Sequence, residues 1–128
     1  MNNIFCVDIG GSKLICGVLN TQGEIIKTVR ADYPREYDLN TIVDLIKQGY
    51  DELKEYSCTA CAVAVPGLCD SKNGVWSYSP FSGLSDIPIN DIVSKITALP
   101  TMCDNDVNLS ALAENILVFV KTKPIFCG

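Results

Sequence analysis

The chain opens with three short runs of strand-forming residues that are separated by turn residues. The runs are Ile4–Ile9, Leu14–Leu19 and Ile25–Ala31, and both intervals between them contain glycine. Strand-forming runs joined by tight glycine turns are typical of an antiparallel meander. The pattern therefore predicts three consecutive antiparallel strands.

The apolar rhythm becomes helical after Asp38. Apolar residues recur at helical spacing between residues 39 and 53, and either Asp38 or Asn40 can cap this helix. The next run, Thr59–Val65, is continuously small and apolar, which is the composition of a strand buried on both faces. A Pro-Gly pair ends that strand.

Turn residues come first in the remaining part of the chain, and helical periodicity follows. Leu68–Pro88 is rich in Gly, Pro, Asn and Asp, which predicts loops with a short hairpin around Gly74–Tyr78. Beyond it the pattern predicts a helix over Ile89–Leu99, a strand over Pro100–Cys103 and a helix from near Asp106 through Leu117. The order β-β-β-α-β-α-β-α implies an α/β layered domain with a mixed sheet.

Composition indicates one globular domain and excludes two classes of partner. The chain has 128 residues, of which 48% are hydrophobic and 20% charged, as in a globular protein with a proper core. Ten Lys and Arg stand against fifteen Asp and Glu, and no basic run occurs, so neither nucleic acid nor membrane is expected as a partner. No apolar stretch reaches the roughly 20 residues that cross a bilayer, and no leader pattern is present. We expect a cytoplasmic protein.

Seven cysteines raise the possibility of disulfides or a metal site. Their number is odd, and Cys6, Cys16, Cys61 and Cys103 lie inside apolar runs, which favours reduced thiols in the core. Cys58 and Cys61 have the C-x-x-C spacing of zinc and redox sites, but no second pair matches it and the chain has no histidine. We expect a strand entrance with two thiols and no zinc.

A glycine loop between the first two strands carries the first candidate chemistry. It reads Asp8-Ile9-Gly10-Gly11-Ser12-Lys13, and its glycines can present backbone N–H groups to an anion. Ser12 adds a donor, Lys13 a positive charge and Asp8 a carboxylate that can hold Mg²⁺ through water. The loop matches neither a Walker motif nor a dinucleotide fingerprint. A plain glycine hairpin is the alternative, and the loop alone does not decide between them.

A second polar loop follows the strand that ends at Cys103. Asp104-Asn105-Asp106 places two carboxylates and an amide before a predicted helix. Helix capping explains Asp and Asn at such positions. Together with a phosphate-type glycine loop in the same domain, a carboxylate base beside a phosphate donor becomes the competing explanation, because ligands gather at the carboxyl ends of helix-linked strands.

Five motifs together resemble a known family. Asp8–Lys13 resembles the first phosphate motif of the sugar kinase, Hsp70 and actin superfamily. The later motifs are similar, in order and spacing, to the N-terminal half of the ROK family (repressors, open reading frames and kinases), which includes bacterial glucokinases. These later motifs are Ala64–Gly67, Ser79–Leu84, Asn105–Asn108 and Ala111–Glu114. The match covers residues 3–114 and implies a ribonuclease H-like domain.

The resemblance also implies an activity and a role for each matching residue. The activity is transfer of the ATP γ-phosphoryl group to a sugar hydroxyl. Asp106 would be the general base and would bind the substrate together with Gly67 and Asn105. The phosphate path would be lined by Gly10, Gly11, Ser12 and Lys13, with Asp8 near Mg²⁺ through water. Positioning and charge neutralisation are what phosphoryl transfer requires of a protein.

The resemblance further predicts the domain organisation. Residues 1–117 would form the ribonuclease H-like N-terminal domain of a ROK-type kinase, and residues 118–128 would begin the crossing to a C-terminal domain. The sugar motif Glu-x-Gly-His, the cysteine-rich zinc motif and the adenosine-binding loops of the family would lie beyond Gly128. We therefore expect a truncated N-terminal half that is inactive by itself and whose parent is a homodimer.

Two alternatives stay open. A sugar-sensing transcriptional regulator of the family would carry a helix-turn-helix segment ahead of the glycine loop, which here begins eight residues from Met1, so the kinase is favoured. A non-enzymatic module of the same superfamily is the other alternative. Phe81 stands where many kinases of the family have Asn after the Ser-Pro pair, which places one sugar contact in question.

Overall fold

A computed structural model describes residues 3–79 and 84–105 of the chain. Five strands form the main sheet in the order β3-β2-β1-β4-β8, and three short strands form a second sheet in the order β5-β6-β7. The elements in chain order are β1 (Asn3–Ile9), β2 (Lys13–Leu19), β3 (Ile25–Asp32), α1 (Leu39–Leu53), a 3-10 turn (Lys54–Tyr56), β4 (Cys58–Ala64), β5 (Leu68–Asp70), β6 (Val75–Tyr78), β7 (Ser85–Ile87), α2 (Ile89–Thr97) and β8 (Thr101–Asp104).

The main sheet is mixed, as the sequence predicts. β1, β2 and β3 form the antiparallel meander, while β4 runs parallel to β1 and β8 runs parallel to β4. Parallel neighbours need crossover connections, and α1 and α2 lie within those connections. The predicted helix from near Asp106 lies outside the described residues.

A capping box fixes the start of α1, and a left-handed residue fixes the end of α2. Asp38, not Asn40, caps α1: its carboxylate accepts from the Thr41 backbone N–H at 3.0 Å, and the Thr41 hydroxyl faces the Asp38 N–H at 3.4 Å. α2 is two residues shorter than predicted because Ala98 adopts a left-handed conformation, with φ at +60°. Within the described residues, neither helix is long and apolar enough to cross a membrane.

Both faces of the central strands are buried. One face packs against α1 and α2 and carries the larger side chains, among them Phe5, Val7 and Val63. The other face is formed by small or aliphatic residues, namely Ile4, Cys6, Leu19, Ala60, Ala62 and Ala64. β4 therefore has the two-sided burial that its continuous apolar composition predicts.

The described parts of Leu68–Pro88 hold more strands than the sequence predicts. In place of loops with one short hairpin, it holds the three-stranded sheet β5-β6-β7. The turn between β5 and β6 uses Gly74 at φ +72°, and its N–H donates to the Asp70 carbonyl at 2.9 Å. Trp76 in β6 is fully buried, and its indole N–H donates to the Pro66 carbonyl at 2.8 Å. One buried aromatic thus anchors strands too short to show an alternating pattern.

Candidate functional site

The carboxyl ends of the parallel strands meet at one edge of the main sheet. Asp8 pairs with Ala64 across β1 and β4, and Ala64 pairs with Asp104 across β4 and β8. The two aspartates thus stand in one row with a single strand between them, about 10 Å apart at two strand spacings. The glycine loop and the loops after β4 and β8 all leave from this edge.

The glycine loop is a tight strand-to-strand turn. The Gly10 N–H donates to the Lys13 carbonyl at 2.9 Å. A Cβ atom built on Gly10 would stand 2.9 Å from that same oxygen, closer than real Cβ contacts allow. The first glycine is therefore required for steric reasons, whatever ligand the loop binds.

Two tyrosines hold the carbonyl side of this loop. The Tyr33 hydroxyl donates to the Gly10 carbonyl and the Tyr37 hydroxyl to the Gly11 carbonyl, each at 3.1 Å. The Tyr33 N–H donates to the Ser12 carbonyl at 3.0 Å. The ring centroids of Tyr33 and Tyr37 lie 4.3 Å apart. Burial raises the pKa of Tyr33, which keeps its hydroxyl a donor.

The same arrangement leaves backbone donors in the loop without a protein acceptor. Among residues 3–79 and 84–105, no acceptor pairs with the N–H of Gly11 or of Ser12. Successive unpaired N–H groups in a turn form a concavity that suits an anion. The loop can therefore receive a phosphate. Neither tyrosine was predicted from the sequence, although two aromatic residues in a polar segment after a strand were the available signal.

Asp8 and Lys13 lie on one face of the sheet beside the loop. Asp8 is half-buried, and this burial raises the pKa of its carboxyl, while the Lys13 ammonium acts in the opposite direction. A divalent cation near Asp8 would offset the cost of burying this carboxylate. The described residues contain no group of three or more Cys, Asp or Glu able to hold a metal together. A single carboxylate suits Mg²⁺, which keeps several waters and binds phosphate oxygens.

The loops after β4 and β8 contact each other. The Val65 N–H donates to the Asp104 carbonyl at 2.9 Å, which extends the pairing of the two strands. Beyond it the Asn105 side-chain amide lies 3.4 Å from the Gly67 carbonyl oxygen. Gly67 has φ at +87°, a conformation that favours glycine. Two residues that the resemblance assigns to sugar binding are thus brought together.

Asp104 orients the start of its loop. Its carboxylate accepts from the Asn105 backbone N–H at 2.7 Å. Asp106, to which the resemblance assigns the proton-accepting role, lies outside the described residues, as does Phe81. The choice between a helix cap and a general base at Asp106 therefore remains a prediction.

The C-x-x-C pair lies away from this edge, at the start of β4. Cys61 is fully buried, and its thiol donates to the Thr97 hydroxyl at 3.3 Å. Burial raises the pKa of Cys61 to about 11 and that of Cys58 to about 12, so both remain thiols at neutral pH. These are the properties of residues that pack against the core, and the expectation of no zinc remains a prediction.

Comparison with known proteins identifies relatives for nearly all of the chain. The family model described as "ROK family" matches residues 4–123. The glucokinase of Thermotoga maritima is 27% identical over 110 residues, which cover 84% of this chain and 35% of that protein. The N-acetyl-D-glucosamine kinase of Vibrio atlanticus is 29% identical over 125 residues, which cover 94% of this chain and 40% of that protein.

Solved structures agree with these relatives. A ROK family glucokinase from Streptomyces griseus, in complex with glucose and AMPPNP, superposes with a TM-score of 0.76 and 28% identity over 86% of this chain and 35% of that one. A ROK family transcriptional regulator shares the fold alone, at 22% identity and a TM-score of 0.73, with 89% of this chain and 30% of that chain covered. The chain spans about a third of the length of the curated glucokinases that it matches. Because the family model covers most of the sequence, this chain belongs to the ROK family.

Proposed function

We propose that the chain is the N-terminal part of an ATP-dependent hexose kinase, which transfers the γ-phosphoryl group of ATP to a sugar hydroxyl. The observation that carries the proposal is the shared edge of the main sheet. There the glycine loop, in which the N–H groups of Gly11 and Ser12 have no acceptor among the described residues, lies on one side of Ala64, and the Gly67–Asn105 contact lies on the other. On this proposal, the phosphate and the sugar bind at this one edge.

On the phosphate side, the loop supplies donors and charge. The N–H groups of Gly10, Gly11 and Ser12 line the turn, although that of Gly10 is already used within it. We assign Gly11, Ser12 and Lys13 to the phosphate oxygens and Asp8 to Mg²⁺ through water. When bound, Mg²⁺ neutralises charge on the phosphates. Tyr33 and Tyr37 hold the loop so that its donors point outward.

On the sugar side, Asn105 and Gly67 position the acceptor. The Asn105 amide can exchange its 3.4 Å contact with the Gly67 carbonyl for a sugar hydroxyl, and Gly67 presents backbone without a Cβ. We assign the proton to Asp106. In the step, the sugar oxygen bonds to the γ-phosphorus, the bond to the ADP oxygen breaks, and the hydroxyl proton moves to the Asp106 carboxylate.

The proposal includes the wider organisation of the protein. Residues 1–117 form the domain, and residues 118–128 begin the crossing to a second domain that supplies the adenosine contacts. The kinase acts in the cytoplasm as a homodimer. Glucose is the first candidate substrate, because curated relatives named glucokinase match most of this chain, and N-acetylglucosamine is the second. A sugar-sensing regulator is the alternative, because such a protein has the same fold.

A sugar panel tests this function directly. The full-length protein is assayed for ADP release with glucose, N-acetylglucosamine and mannose, and sugar binding is measured separately by calorimetry. We expect saturable turnover with glucose or N-acetylglucosamine and loss of most of it in Asn105→Ala. Asn20→Ala, in the β2–β3 turn at the opposite edge of the sheet, is the matched control and keeps full activity. Sugar binding without turnover would instead identify a regulator.

A further inference from the structure

Two cysteine side chains meet close to the Gly67–Asn105 contact and have no part in the proposed reaction. Cys69 in β5 and Cys103 in β8 have their Sγ atoms 3.3 Å apart, in hydrogen-bond contact. Cys69 follows Gly67 by two residues, and Cys103 precedes Asn105 by two. The pair therefore joins the two segments that carry the candidate sugar-binding residues.

The other close pair of cysteines does not have this geometry. Cys58 and Cys61 lie three residues apart in β4. A regular strand separates such residues by roughly 10 Å, whereas a disulfide requires Cα atoms within about 7 Å. Cys69 and Cys103 come from different strands and already touch, so a small shift of their side chains brings the sulfurs to bonding distance.

We propose that Cys69 and Cys103 are a peroxide-sensitive thiol pair that closes to a disulfide beside the candidate sugar site. The solvent exposure of the two thiols decides which one reacts first with peroxide, because Cys69 is partly exposed while Cys103 is fully buried. The Cys69 thiolate attacks hydrogen peroxide and becomes a sulfenic acid, with release of hydroxide. Cys103 sulfur then attacks the Cys69 sulfur, and water leaves. In total, two thiols and one peroxide give one disulfide and two waters, and the two electrons pass from the thiols to the peroxide.

The surroundings of Cys103 suit the thiol that reacts second, with the sulfenic acid, and not the thiol that reacts first, with peroxide. Burial raises the pKa of Cys103 above its ordinary value, and contact with Cys69 and the nearby carboxylates Asp104 and Asp70 raise it further. Cys103 therefore stays a thiol at neutral pH, and its proton leaves with the sulfenic hydroxyl as water when its sulfur bonds to the Cys69 sulfur. Its position next to Asp104 places the change beside the loop that holds Asn105.

The effect on sugar binding rests on the proposed function. A disulfide shortens the 3.3 Å contact between the two sulfurs to about 2 Å, and the part of this shift that reaches the backbone moves Gly67 relative to Asn105, whose contact is 3.4 Å. Misplacement of binding groups by about 1 Å costs up to about a hundredfold in enzymes. We expect oxidation of the full-length kinase to weaken glucose binding by about tenfold or more, and dithiothreitol to restore it.

Peptide mapping tests the pair itself. The chain is treated with hydrogen peroxide, its remaining thiols are blocked with iodoacetamide, and the non-reduced digest is analysed by mass spectrometry. We expect a cross-linked peptide that joins Cys69 to Cys103 and disappears after dithiothreitol. Cys69→Ser abolishes it, while Cys58→Ser, in which another partly exposed thiol is removed, leaves it unchanged.

The possible outcomes distinguish failure of the thiol-pair proposal from failure of the kinase proposal. A Cys58–Cys61 link, links between chains, or oxidation of Cys69 without a link to Cys103 would each overturn the pair. A Cys69–Cys103 link in a full-length protein whose glucose affinity is the same before and after oxidation would overturn its effect on the site. A link in a protein that binds no sugar in either state would leave the pair established and refute the proposed function.

Discussion

At the residue scale, the glycine loop shows how a short motif depends on residues far from it in sequence. Gly10 lacks a side chain because a Cβ would meet the Lys13 carbonyl. The loop carbonyls are then held by tyrosines more than twenty positions away. The loop carbonyls thus bond within the fold, and N–H groups of the loop are left for a ligand. We therefore expect the tyrosines to fix the position of the proposed phosphate site.

Removal of the tyrosine hydroxyls tests this support. Tyr33→Phe and Tyr37→Phe each remove one hydrogen bond to a loop carbonyl, which costs about 0.5–1.5 kcal/mol of unfolding free energy. In the full-length kinase, both variants should also raise the KM for ATP. Urea unfolding and initial-rate kinetics measure the two effects. Tyr78→Phe is the control, since Tyr78 is exposed and its hydroxyl has no partner among the described residues. Equal behaviour of all three variants would contradict the account.

We expect the partly buried Asp8 carboxylate to lower the stability of the fold, although the same carboxylate serves the proposed function. Its carboxyl has a raised pKa because it is partly buried, so the folded state binds this proton more tightly than the unfolded state does. The contribution of Asp8 to the stability of the fold therefore falls as pH rises from about 4, the ordinary carboxyl pKa, through the raised value. Asp8→Asn should melt at a higher temperature at pH 7, and the gain should vanish as pH falls toward 4.

Thermal unfolding across pH 4–7 checks this prediction. Asp44→Asn, at an exposed position of α1, is the matched control and should melt at nearly the wild-type temperature at pH 7. In the full-length kinase, Asp8→Asn should also lose most activity at limiting Mg²⁺. If Asp8→Asn were less stable than the wild type at pH 7, the Asp8 carboxylate would be stabilised by its neighbours and not destabilised by its burial.

At the scale of elements, the packing of α1 on the meander decides how the first three strands are held. Gly49 of α1 faces Cys16 of β2, where an added Cβ would stand 2.4 Å from the sulfur. This close approach is the kind of contact that brings a helix onto a sheet without a gap. At the Gly49–Cys16 contact, the interface therefore has no room for an added methyl group.

A pair of alanine substitutions tests this packing. Gly49→Ala overpacks the interface and should lower the free energy of unfolding by about 1–3 kcal/mol. Gly17→Ala is the control, because its Cβ would meet atoms no closer than 3.4 Å in the middle of a strand; it should be neutral or stabilising. Chemical denaturation measures both. If Gly49→Ala were as stable as Gly17→Ala, α1 would lie farther from the sheet than the structure shows.

Elements whose signals are local could be predicted from the sequence, whereas elements that depend on tertiary contacts could not. α1 was predicted from helical periodicity between residues 39 and 53, with its cap left open between Asp38 and Asn40, because these signals act locally, and β4 was predicted from its composition. β5, β6 and β7 were largely missed because they have three or four residues each and depend on the burial of Trp76. Gly67 and Asn105 were found only through the family resemblance, since their contact follows from the register of β4 and β8.

At the scale of the whole molecule, the proposed site lies along one edge of the main sheet. The described residues bring the glycine loop and the Gly67–Asn105 contact to this edge, and the chain spans about a third of the glucokinases that it matches. Phosphoryl transfer depends on closure around the substrate, which excludes water and completes the set of contacts. Under the proposed function, a second domain supplies the remaining contacts.

The isolated chain should therefore be inactive. We expect the purified 128-residue chain to show no ATP-dependent phosphorylation of glucose or N-acetylglucosamine above the rate without protein. The full-length protein, assayed under the same conditions, is the positive control. Ordinary turnover by the 128-residue chain would show that its own residues complete the site, and would contradict the proposed division between two domains.

The most direct test of the central claim is the rate of sugar phosphorylation by full-length Asp106→Asn. Asn keeps the size of Asp and can still cap a helix, so the substitution removes mainly the proton acceptor. The account predicts a fall in kcat of several orders of magnitude, with thermal stability and glucose affinity close to those of the wild type. A variant that unfolds at a lower temperature yet phosphorylates glucose at nearly the wild-type rate would show that Asp106 is a capping residue and contradict the proposed mechanism.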